Sequence, residues 1–127
     1  MHLKEYTSFF HDGSVIAIDH IGNNAVFYIE SAEIDREDLD AEGISYLTKN
    51  SRIKGKIYIY GIINIEENDK RYFGKLKMKT NDAEIFHLEI NRNKVEFQIK
   101  WSSHQSKLDD FSTIEITAEK IEWIPEK

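Results

Sequence analysis

Residues 9–20, FFHDGSVIAIDH, set two histidines and two aspartates around an apolar run, the side chains from which a metal centre or a general acid/base pair could be built. Their spacing argues against both. His11 and His20 lie nine residues apart, roughly 30 Å along an extended chain, so one ion could join them only if the chain reversed in between. Ile16 to Ile18 reads instead as uninterrupted strand. Asp12-Gly13 has turn chemistry, Asp accepting local backbone hydrogen bonds and Gly supplying an unusual φ, and His20 falls at a hairpin end.

Other candidate chemistry is equally sparse. No G-x-S-x-G elbow, H-E-x-x-H, H-x-H, G-x-x-x-x-G-K-[ST] or G-x-G-x-x-G occurs. The chain has no cysteine, hence no thiolate nucleophile or ligand and no disulfide framework. Glu89 and Glu96 are placed to face each other across a hairpin, the geometry of a carboxylate pair sharing a proton. They share a polar face with Lys94, Gln98 and Lys100, where water screens them, and His87, opposite Gln98, reads as solvent-facing rather than as a ligand. The run DLDAEG sets Asp38, Asp40, Glu42 and Gly43 at positions 1, 3, 5 and 6 of an EF-hand-like loop. Position 12 is then Lys49 instead of a bidentate Glu, and no helix pair flanks it. No catalytic residue, metal or cofactor is expected, and the chain reads as a non-enzyme.

The elements that must position these residues show a period of two. Every odd position from Ile53 to Ile65 is Ile or Gly, the alternation of a strand with one face on a core. A turn at Asn68-Asp69 then pairs Ile65 with Tyr72, Ile63 with Gly74, Gly61 with Leu76 and Ile59 with Met78. Arg92-Asn93 centres a second hairpin, pairing Ile90 with Val95, Leu88 with Phe97 and Phe86 with Ile99, with Trp101 in the same phase. Gly22-Asn23 centres a third, in which Ile18 meets Phe27 and Ile16 meets Ile29. The last runs, FSTIEITA and KIEWIP, switch apolar phase, which predicts a bulge or bend near Glu119 before Pro125 ends the strand. The fold expected is all-β: about eight antiparallel strands in a meander, forming a sandwich or flattened barrel, with at most one short helix in the 30–50 segment.

Composition sets the remaining bounds. At 127 residues, 40% hydrophobic and 31% charged, the chain is a globular single domain, 1–127, able to bury one core. The start, MHLKEYTSFF, has no apolar leader and no stretch is long enough to span a membrane, so a soluble, cytoplasmic protein is expected.

Charge is unevenly spread. Residues 30–43 carry seven acids against Arg36 alone, a balance equal to the whole chain's formal charge of −6. Asp35, Glu37, Asp38, Asp40 and Glu42 are therefore the candidate contact surface for a basic protein partner. A second face is expected on the 53–79 hairpin, where Tyr58 would lie opposite Lys79, Tyr60 opposite Lys77 and Ile62 opposite Lys75. Tyr58, Tyr60, Lys75, Lys77 and Lys79 would then form a small-ligand or single-stranded nucleic-acid face, by stacking plus phosphate neutralisation. A pI near 5.4 makes nucleic acid the less favoured partner.

The motif Phe10-His11-Asp12-Gly13 leading into an apolar strand, a mid-chain β-meander, and a late strand with Ile121-Glu122-Trp123 resemble small all-β bacterial proteins of unknown function. Some of these are similar to predicted immunity proteins of polymorphic-toxin systems. The resemblance brings no catalytic residues. It implies a cytoplasmic, partner-binding role.

Overall fold

Three tight turns organise the sheet. In the computed structural model, which describes residues 7–103 and 110–126, Gly22, Asn68, Asp69 and Arg92 adopt left-handed φ values of 58°, 53°, 65° and 57°. Such values let a two-residue loop follow the twist of its flanking strands, so each expected turn reverses the chain where its residues allow it. The strands are β1 (Ser14–Ile21), β2 (Asn24–Glu30), β3 (Lys54–Glu67), β4 (Lys70–Arg71), β5 (Asp82–Asn91), β6 (Lys94–Ser102) and β7 (Asp110–Pro125). A 3-10 turn at Thr7–Phe10, another at Arg36–Asp38 and one short helix, α1 (Ala41–Ser45), complete the elements among the described residues.

All seven strands belong to one antiparallel sheet in the order β2-β1-β5-β6-β7-β3-β4, with β2 pairing β3 as well. The pairings therefore run in a closed circuit of two three-stranded meanders, β1-β2-β3 and β5-β6-β7. A long β3–β7 ladder joins them on one side. On the other, β1 meets β5 through the pair Ser14–Glu84, flanked by Asp12 N–H to Ile85 O and Ile85 N–H to Gly13 O, both 2.8 Å. The all-β expectation holds, and the strands not covered by neighbours are few, as a sheet that must avoid open edges requires.

Several registers differ from expectation, each for a local reason. The pairs Ile18–Phe27, Leu88–Phe97, Ile90–Val95 and Glu89–Glu96 form. Ile16 does not meet Ile29, and Phe86 does not meet Ile99: a bulge at each position passes the partner to Val15 and Ile85. The β3 row is interrupted in the same way. Gly61 is left-handed (φ 64°), the β3–β7 register shifts between Ile62 and Asn64, and Ile63 turns outward. Asn23 O and Asn24 Oδ1 accept the N–H groups of Ile62 and Gly61, so the β1–β2 turn fixes this break. Opposite it, Glu119 marks the expected phase switch, within a single sixteen-residue strand.

The largest correction concerns residues 72–79. They form no strand against Ile59–Ile65, and β4 stops after two residues. A strand has two edges, and β3 gives one to β7 and the 54–59 stretch of the other to β2, whose Ala25, Phe27 and Ile29 are buried. β2 therefore holds the edge at Tyr58 and Ile59. Beyond it residues 72–79 offer the core only Leu76 as a buried side chain, so after the Tyr72 N–H bond to Ile65 O at 2.8 Å they leave β3.

The apolar row of each strand fills the interior. Phe27 of β2 and Phe97 of β6 stack at 4.5 Å and 12°, joining the middle strands of the two meanders at the centre of the core. Trp123 lies over Gly55, where a Cβ would stand 2.3 Å from the indole, and Phe10 meets Trp123 edge-on at 5.5 Å. At the other end Trp101 Nε1 donates to Ser112 Oγ at 3.0 Å. That hydroxyl donates to Glu67 Oε1 and accepts from Lys79 Nζ, each at 3.0 Å. A buried indole N–H, a buried serine and a half-buried carboxylate thus satisfy one another.

Candidate interaction surfaces

The opening FHDG stretch is structural. Asp12 takes a left-handed φ of 67° in the turn, and Gly13 packs so closely on β2 that a Cβ would lie 2.3 Å from Glu30 O. His11 Nδ1 hydrogen-bonds Phe86 O, and His20 Nδ1 accepts Leu76 N–H at 2.8 Å. One histidine pins the entry turn to the β5 bulge, and the other anchors the 72–81 segment.

The acidic segment is built for display. Ile34 and Leu39 are buried, and Ile34 N–H donates to Ser51 O at 2.8 Å, which holds the segment against the 46–53 return. Between and beyond these anchors Asp35, Glu37, Asp38, Asp40 and Glu42 are all exposed. Asp35 precedes the 3-10 turn, while Asp40 caps α1, its Oδ1 accepting Gly43 N–H at 2.7 Å. The DLDAEG run is therefore a turn followed by a capped helix, and Gly43 is a buried helical residue rather than the sharp bend of a calcium loop.

The tyrosine face exists, with different cations. Tyr58 and Tyr60 stack at 5.8 Å and 6° on the outer side of β3. Because residues 73–79 are not paired with β3, Lys75, Lys77 and Lys79 do not stand opposite these rings. Lys79 is drawn to Glu67 and Ser112, and Lys75 offers its carbonyl to the Tyr72 hydroxyl at 2.8 Å. The cations beside the aromatics come from strands that pairing placed there: Lys56 Nζ lies 5.3 Å from the Tyr28 ring centre, and Lys120 Nζ 5.7 Å from that of Tyr60. Acids share the face. Tyr28 Oη donates to Asp19 at 3.2 Å, a hydrogen bond that with burial and the Asp19 charge raises the phenol's pKa, and Glu122 pairs with Lys120 at 3.6 Å. Sequence reading missed Tyr28, Lys56 and Lys120 because their proximity depends on β2 and β7 flanking β3, a non-local choice.

The outer face of β5 and β6 brings Glu89 and Glu96 opposite each other, as their hairpin dictates. His87 Nε2 lies between them, 3.4 Å from Glu89 Oε2 and 3.9 Å from Glu96 Oε2.

Among the described residues no helix is long and apolar enough to cross a membrane. The chain matches no protein family, no curated protein and no solved structure, so any functional reading rests on its own residues.

Proposed function

We propose that this chain is a non-catalytic protein-binding domain whose acidic ridge, Asp35 to Glu42, meets a basic partner, in the manner of a cytoplasmic immunity protein. The observation that carries the reading is the anchoring of that ridge. Ile34 and Leu39 are buried while every acid around them is exposed, so the charge is held in place before any partner arrives. Pre-ordered charge speeds encounter and selects against acidic partners more than it adds affinity. The test is charge reversal at Asp35, Glu37 and Asp38, with Asp40 spared because it caps α1. Capture of basic proteins from the source lysate should fall, and association of wild type should slow as salt rises. Undiminished capture by the reversed variant refutes the reading.

A second reading is favoured by the parallel Tyr58–Tyr60 stack, with Lys120 over Tyr60 and Lys56 over Tyr28: a face for a small planar ligand or a single-stranded base. Asp19 and Glu122 on the same face oppose a phosphate backbone, which leaves it second. Retention on single-stranded DNA that vanishes in Tyr58→Ala would promote it.

A further inference from the structure

We propose that His87, Glu89 and Glu96 form a binding site for one divalent first-row transition-metal ion of the zinc class on the outer face of the β5–β6 hairpin. The site is set by the backbone. The bulge at Phe86 ends the odd-numbered inward phase of Ala83 and Ile85 and starts the even-numbered phase of Leu88, so His87 and Glu89 project together on the outer face. Across the hairpin Glu96 pairs directly with Glu89.

Two like charges opposite each other on adjacent strands are unfavourable, and Lys94, whose field reaches Glu96, acts on it only at longer range. The neighbouring Lys94 is engaged with Glu115 of β7 at 3.0 Å. Among the described residues neither Glu89 nor Glu96 has a lysine or arginine within ion-pair distance. What they have is an imidazole nitrogen.

The spacing of the three groups is within the reach of one ion. One ligand atom from each of the three side chains lies within 4.8 Å of the others. Donors held ~2.0–2.2 Å from a tetrahedral ion stand about 3.4 Å apart, against 3.4 and 3.9 Å from His87 Nε2 to the two carboxylates. Small side-chain rotations complete the set. One nitrogen and two carboxylate oxygens suit zinc, manganese or iron(II), whereas calcium prefers an all-oxygen shell of more ligands. The side chains of His87 and Glu89 are 44% and 58% exposed, so water fills the remaining coordination positions. The site is distinct from the acidic ridge and does not depend on the binding role proposed for it.

The test uses the full chain, freed of metal by chelation. Zinc titrated by calorimetry should bind as one ion per chain at micromolar affinity, and cobalt(II) should give a matching visible absorption band. The His87 ring resonances should shift in the wild-type protein at the same stoichiometry, a readout that needs no variant. His87→Gln and Glu96→Gln should each weaken binding by about ten-fold or more with circular dichroism unchanged, whereas Asp35→Asn/Glu37→Gln should bind as wild type. Absence of sub-millimolar binding, binding that survives His87→Gln, or loss in the Asp35/Glu37 variant would each overturn the assignment.

Discussion

The two meanders, β1-β2-β3 and β5-β6-β7, are alike inside and unlike outside. Each begins with a strand broken by a bulge, and each contributes the phenylalanine of its middle strand to the central stack. The bulges have different consequences. At Ile16 an apolar side chain is left 51% exposed; at Phe86 the extra residue is covered by Phe111, edge-on at 5.7 Å, and the next residue, His87, is presented to solvent. The outer face of the first meander carries Tyr28, Tyr58, Tyr60 and Lys56, and that of the second carries His87, Glu89, Glu96 and Gln98. A shared inner pattern is what lets both halves close on one core. The outer faces are free of that constraint, so binding chemistry can differ there without cost to the fold.

If the inner halves are equivalent, the two members of the stack should matter equally. Phe27→Ala and Phe97→Ala should each destabilise the protein by about 3–5 kcal/mol, measured by denaturant unfolding. The double variant should lose less than the sum, because each single change already removes the shared stacking contact. Unequal losses differing by more than about 2 kcal/mol, the spread that local relaxation produces, would show that one meander carries the core alone.

The seam where the meanders meet gives the next largest effect. A methyl at Gly13 would press on Glu30 O at 2.3 Å and Phe10 O at 2.9 Å, both backbone atoms that cannot move aside singly. Gly13→Ala should cost about 1–3 kcal/mol and raise amide exchange first at Asp12 and Ile85, whose hydrogen bonds close this edge. Protection lost evenly over the sheet would mean the seam is not its weakest join.

How far sequence reading reached follows the same division. The turns at Gly22-Asn23, Asn68-Asp69 and Arg92-Asn93 were legible, because local φ preferences and the flanking alternation agree on them. So was the exposure of Asp35 to Glu42, since a charge-dense run interrupted by Ile34 and Leu39 has one sensible orientation. Bulges at Ile16 and Phe86 were not, because alternation holds on either side and only the partner strand reveals the extra residue. Lysines 75, 77 and 79 were misplaced because local pattern cannot say which of two candidate strands takes an edge of β3. The Trp101–Ser112–Glu67–Lys79 cluster was invisible for the same reason, its members coming from four separate segments.

That cluster gives the third prediction, in the acid range. Partial burial pushes the Glu67 carboxyl up, but hydrogen bonds from Lys79 and Ser112 and the Lys79 charge outweigh it and hold its pKa below the ordinary carboxylate value. A folded pKa lower than the unfolded one contributes stability that is present above about 4.3, the unfolded value, and is lost as pH falls through the folded value. Glu67→Gln should therefore flatten the acid limb of a stability–pH curve below that point, and Lys79→Met should flatten it too. Parallel acid limbs in wild type and Glu67→Gln would remove Glu67 from this account.

The smallest effect tests the difference between the outer faces. On the first meander Lys56 sits over the Tyr28 ring, so Lys56→Met removes an attraction and should cost about 0.5 kcal/mol, the lower end for a cation–aromatic contact. On the second, Glu89 opposes Glu96, so Glu89→Gln removes a repulsion and should raise stability by a few tenths of a kcal/mol, measured in chelator. The two substitutions each delete one charge on an outer face yet should move the melting temperature in opposite directions. Adding zinc should reverse only the second sign: wild type, bound through both glutamates, would then melt above Glu89→Gln, since a ligand stabilises the state that holds it more tightly. If Glu89→Gln is less stable than wild type in chelator, the carboxylates are already reconciled by groups of the fold itself, and the contrast between the two faces disappears.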